Sequence, residues 1–128
     1  MKLFINISTT ALAIIFLWNC GKSNPEIILT MTSTHGQKLL SNQNYIFLDV
    51  RTEQEHDVGH IPNSTHIPVG SLETRIDEIE KFKDKKIVVY CRSGNRSAKG
   101  TTILIKSGFE AVNLSGGMLQ WKGPVDKK

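Results

Sequence analysis

Three short apolar runs, Tyr45 to Val50 (YIFLDV), Ile87 to Tyr90 (IVVY) and Ala111 to Leu114 (AVNL), are separated by segments patterned as helices, and this spacing constrains the chain most. Runs this short and this continuously apolar fit strands covered on both faces. Between them, Ser71 to Phe82 places Ile76, Ile79 and Phe82 on one side, and Arg96 to Ser107 runs as a helix up to Gly108. Strands alternating with helices predict an α/β domain, a parallel sheet with helices on both faces and functional groups gathered at the carboxyl ends of the strands. Earlier in the chain, Glu26 to Met31 has strand character, Ser33 is a candidate N-cap for a helix through Leu39 and Leu40, and Thr65 to Ile67 is a shorter strand candidate. Arg51 to Ser64 is polar and ends in Gly59-His60-Ile61-Pro62-Asn63, the composition of a turn. Gly116 to Trp121 predicts a last turn and a short helix.

The 128 residues suffice for one domain, and the formal charge of +4 comes from dispersed Lys and Arg, including Lys127 and Lys128 at the end of the chain. No basic block suggests nucleic-acid binding. His35, His56, His60 and His66 show no metal-ligand spacing, so no metal is expected.

The N-terminus has a different character. Lys2 precedes an apolar-rich run from Leu3 to Trp18, interrupted by Asn6, Ser8, Thr9 and Thr10 and shorter than the roughly 20 apolar residues that span a bilayer. It reads as an export signal over residues 1–19, followed by a tether over 20–25 and the domain over 26–128. Leu17-Trp18-Asn19-Cys20 resembles a lipoprotein lipobox, which implies lipidation of Cys20 and a periplasmic or cell-surface lipoprotein. An uncleaved anchor and a plain buried cysteine are the alternatives. With Cys20 acylated, Cys91 is the only free thiol; otherwise a Cys20–Cys91 disulfide is the competing possibility.

Cys91 stands where the strand Ile87 to Tyr90 gives way to a helix, within Cys91-Arg92-Ser93-Gly94-Asn95-Arg96-Ser97. Backbone N–H groups of such a loop converge on an anion, and the helix start adds unsatisfied donors and a positive dipole end. The same field favours thiolate over thiol. Arg92 adds charge, Gly94 permits a sharp turn, and Ser93, Asn95 and Ser97 supply further donors. Arg96 has two open roles, contact with substrate or bracing of the loop through a carboxylate such as Asp49 or Glu55.

Taken together, Leu48-Asp49-Val50-Arg51 with Glu55, Gly59-His60-Ile61-Pro62, the Cys91 to Ser97 loop, and Leu114-Ser115-Gly116-Gly117-Met118 with Trp121 resemble, in order, the motifs of the rhodanese family of sulfurtransferases. His56 stands where that family usually has an aromatic, and Asn63-Ser64 replaces Gly-Ala, with Asn63 able to take a left-handed turn. The resemblance implies a single rhodanese-like domain in which Cys91 is the nucleophile and residues 92 to 97 bind a thiosulfate-like anion. Asp49, Arg51 and Glu55 would support the loop, and Trp121 would pack in the core or as a lid. It further implies sulfur transfer to a thiol or cyanide through a Cys91 persulfide, by a monomer that needs no cofactor. A cysteine phosphatase or arsenate reductase shares the strand, cysteine, anion loop and helix, but such enzymes place five residues between cysteine and arginine where this chain has four. A sulfur-relay module without turnover is the other alternative.

Overall fold

The alternation of strands and helices produces a five-stranded, wholly parallel sheet in the order β1-β5-β4-β2-β3. The computed structural model describes residues 27–128, so the leader, the lipobox at Cys20 and the tether lie outside the described residues. The strands are β1 (Thr30–Met31), β2 (Tyr45–Asp49), β3 (Thr65–His66), β4 (Lys86–Tyr90) and β5 (Glu110–Leu114). The helices are α1 (Ser33–Lys38), α2 (Glu53–Val58), α3 (Asn95–Lys106) and α4 (Gly117–Gln120).

Strand periodicity sorts the core into two layers. Along β4, Ile87 and Val89 join Leu48, Val50, Leu72, Ile79, Leu104 and Phe109 on one face, and Cys91 continues that row. Val88 and Tyr90 join Phe47, Ile61, Val112, Leu114 and Trp121 on the other. Trp121 is therefore core, edge-on to Phe47 at a centroid separation of 6.0 Å.

Four local expectations are corrected. Residues 27–29 are not strand, and β1 begins only at Thr30. The N-cap of α1 is Thr32, whose hydroxyl accepts from the His35 N–H at 3.2 Å. Ser33 is instead buried, its Oγ accepting from the Lys122 N–H at 3.1 Å and tying the C-terminal segment to α1. Ser71 to Phe82 folds not as an α-helix but as 3-10 segments at Val69–Ser71 and Ile76–Phe82. Ile76, Ile79 and Phe82 recur every third residue, which stacks them on one side at three residues per turn. Finally, the polar stretch after Arg51 contains α2, which buries none of its residues.

The last residues are also docked. His60 and Asp126 exchange backbone hydrogen bonds of 2.9 Å each, and the Lys128 N–H reaches the Asp57 carbonyl at 3.1 Å. Their lysine side chains remain in solvent as the sequence suggests, but the backbone straps over α2.

Candidate active site

β4 carries Cys91 to the carboxyl edge of the sheet, and the chain must then reverse into α3 within three residues. Gly94 makes this possible with a φ of 111°, a conformation that side chains resist. Its N–H points back at the Cys91 Sγ, 3.1 Å away, and the Ser97 hydroxyl, fully buried on the first turn of α3, donates to the same sulfur at 3.3 Å. Burial pushes the Cys91 thiol up, but hydrogen bonds from the Ser97 hydroxyl and the N–H groups of Ser97, Gly94 and Ser93 outweigh it and hold the thiol below its ordinary value. The loop thus stabilises a thiolate in a nearly closed position, Cys91 being only 1% exposed.

The loop turns its N–H groups inward because its carbonyls are engaged outward. The Cys91 carbonyl accepts from the Met118 N–H at 2.9 Å, and the Arg92 carbonyl from the Leu119 N–H at 3.0 Å. The start of α4 lies so close that a Cβ on Gly117 would run into both carbonyl oxygens, whereas Gly116 takes a φ of 73°. From the other side, Asn113 Nδ2 on β5 donates to the Gly94 carbonyl at 3.1 Å. The Asn113 Oδ1 is buried without a hydrogen-bond partner among the described residues.

A second tier supports this frame. Glu55 forms a capping box with Thr52 at the start of α2 and holds Arg96 through two hydrogen bonds of 2.7 and 2.9 Å. The Arg96 pairing brings the Glu55 carboxyl down to about 2. Of the two roles open to Arg96, the structure shows the bracing contact.

Asp49 is completely buried and meets Arg51 side-on, with Arg51 Nη2 at 2.7 Å and the Arg51 N–H at 2.9 Å. Burial pushes Asp49 up, and the Arg51 hydrogen bonds more than reverse this. Arg51 also donates to the Gly59 carbonyl at 2.6 Å and lies over the Tyr90 ring, so it fastens the Gly-His-Ile-Pro turn to β2 and β4. Asn63 takes a φ of 59° in that turn, as expected. Glu55 thus touches the loop directly through Arg96, whereas Asp49 and Arg51 hold each other and the Gly59 turn.

Arg92 is exposed and forms no ion pair among the described residues, while Ser93 and Asn95 are exposed at the rim. Cys91, Arg92, Ser93, Gly94, Asn95, Arg96 and Ser97 thus form one loop-and-helix start. Among the described residues there is no cluster of metal-ligating side chains, and Cys91 is a free cysteine.

Sequence reasoning missed two features. Asn113 carries no local signal, since only pairing of β5 against β4 brings it to Gly94. Three of the four histidines, which share no spacing in the sequence, form a stack, with His56 at 3.9 Å from His60 and 4.5 Å from His66, ring centroid to centroid. His56 Nδ1 contacts Asp49 at 2.9 Å, which fills the place of an aromatic with a ring that also hydrogen-bonds.

The family model of the rhodanese-like domain matches residues 33–124, from the first helix to the strap. The chain belongs to the rhodanese-like family. It is 34% identical over 103 residues to the Bacillus subtilis protein YtwF, covering 80% of this chain and 98% of that one. It is 36% identical over 86 residues to a sulfurtransferase of Allochromatium vinosum, covering 66% of this chain and 78% of the relative. A crystal structure of a rhodanese-related protein from Thermoplasma volcanium superposes with a TM-score of 0.71 at 31% identity, covering 78% of this chain and 99% of the other. The rhodanese-like architecture thus extends through the strands, the Cys91 loop and α4 that closes against it.

Proposed function

We propose that this rhodanese-like domain is a sulfurtransferase that carries sulfane sulfur as a persulfide on Cys91. The observation that carries the reading is the free Cys91 thiol, lowered by donors from Gly94 and Ser97 and set in a loop whose carbonyls are tied away from it. The sulfurtransferase relative from Allochromatium vinosum supports it.

In the first step the Cys91 thiolate attacks the outer sulfur of thiosulfate or a related donor; the S–S bond breaks and sulfite leaves with the bonding electron pair. The N–H groups of Ser93, Gly94 and Ser97 that face Cys91 Sγ receive the negative charge on the persulfide and leaving group, and Arg92 steers the anion. A thiol or cyanide then takes the outer sulfur and returns Cys91 to thiolate. Charge and atoms balance without any cofactor.

Thiosulfate-to-cyanide transfer by Cys91→Ser tests this: turnover is abolished while the far-ultraviolet dichroism stays native, and undiminished turnover overturns the assignment. We further propose, from the leader sequence alone, that the protein is exported and anchored by a lipid on Cys20. The mass of the peptide that contains Cys20 tests this: an added lipid on that peptide, absent after Cys20→Ala, is expected, and an unmodified Cys20 contradicts the anchor.

A further inference from the structure

Beside the Cys91 loop lies an open pocket of about 410 Å³ between α2 and α4, with Val58 and Gln54 on one wall, Met118 and Leu119 on the other, and Arg92 between them. Val58 is 68% exposed and Leu119 59% exposed, so two large aliphatic side chains stand in solvent beside the loop that carries the sulfur, on a pocket that Arg92 lines and Cys91 does not. Neither has a role in the sheet core.

The charges of this surface are unevenly satisfied. Arg51 is neutralised by Asp49 and Glu55 by Arg96, whereas Arg92 has no ion-pair partner among the described residues. The pocket therefore presents one uncompensated cation framed by apolar walls. Cys91 is 1% exposed, so whatever collects its sulfur must reach in on a slender arm.

We propose that this pocket is the docking surface for a polypeptide acceptor whose cysteine lies beside one aliphatic and one acidic side chain. The proposal rests on the sulfur-transfer reading and names its acceptor. A cysteine side chain supplies the slender arm, its acidic neighbour pairs with Arg92, and its aliphatic neighbour covers Val58 and Leu119. Small thiols such as dithiothreitol gain nothing from either contact.

The acceptor thiol gives its proton to the Cys91 persulfide anion, and its sulfur attacks the outer sulfur to form a new S–S bond. The Cys91–sulfur bond breaks, its electron pair returns to Sγ as thiolate, and the proton stays on the transferred sulfur. No outside oxidant or reductant takes part.

The full-length protein is loaded with thiosulfate and offered three acceptors: dithiothreitol, a short peptide containing Leu-Cys-Glu, and the same peptide with Ser-Cys-Lys. The Leu-Cys-Glu peptide is expected to react faster than Ser-Cys-Lys, and Leu119→Asp to lower its second-order rate constant about tenfold, from lost apolar contact and a new repulsion. Val58→Asp acts in the same direction and leaves the rate with dithiothreitol unchanged. A loaded protein that serves both peptides equally, or an unchanged Leu-Cys-Glu rate in both variants, overturns the docking surface alone. Failure to load Cys91 at all overturns the sulfur-transfer reading, and this proposal with it.

Discussion

Replacing Ser97 by Ala removes one hydroxyl from a fully buried position whose only side-chain hydrogen bond among the described residues is the 3.3 Å donation to Cys91 Sγ. Alanine keeps the first turn of α3 helical, and the N–H donors to the sulfur remain. A hydrogen bond to a charged group contributes about 1.5–3 kcal/mol, and sulfur is a soft acceptor with other donors present, so the lower end applies. At about 1.4 kcal/mol per unit, the thiol midpoint should rise by about one unit. The rate consequence is smaller and changes sign with pH. Below both midpoints the thiolate fraction falls about tenfold, but a more basic thiolate is intrinsically about threefold more reactive, leaving a net loss of about threefold. Above both midpoints the variant should be about threefold faster. Absorbance of the thiolate near 240 nm against pH gives the midpoint, and alkylation by iodoacetamide gives the rates. An unshifted midpoint, or rate profiles that do not cross, refutes the claim that Ser97 stabilises the thiolate.

Three other substitutions probe the frame. Asn113→Ala frees the Gly94 carbonyl but also removes an unpartnered buried acceptor, so stability in urea should change by less than about 1 kcal/mol while the thiol midpoint rises by about half a unit. Gly117→Ala sets a methyl against the Cys91 and Arg92 carbonyls at a φ of 51°, and should cost at least about 2 kcal/mol in urea denaturation. His56 is held below its ordinary value first by burial, against the pull of Asp49 and with the help of neighbouring His60 and His66. A histidine whose folded midpoint is depressed contributes stability that is present above its unfolded value and is lost as pH falls. Urea midpoints of the parent protein should therefore drop below about pH 6.5, and His56→Phe should flatten that decline.

The sheet was legible in the sequence because each central strand is short, continuously apolar and bounded by turn residues, and the Cys91 loop because its residues are contiguous. Helix α2 was not, for it buries no residue and so has no apolar stripe; its one signal was the Thr52–Glu55 capping box at its start. The 3-10 segment was mistaken for an α-helix because Ile76, Ile79 and Phe82 fit either periodicity over so short a stretch. Contacts that join distant parts of the chain were the least visible. Asn113 reaches Gly94 and His56 stacks with His66 only after the strands have paired, and Arg96 resolves onto Glu55 only once α2 exists. By contrast, Asp49 and Arg51 lie two residues apart on one strand end, and their mutual support could be read locally.

The central claim is that Cys91 accepts sulfur and gives it up. Intact-mass spectrometry of the protein after exposure to thiosulfate, followed by peptide mapping, measures this directly. One added sulfur on the peptide containing Cys91, absent in Cys91→Ser and removed by subsequent thiol, is the predicted result. No mass gain, or a gain that persists in Cys91→Ser, contradicts the account.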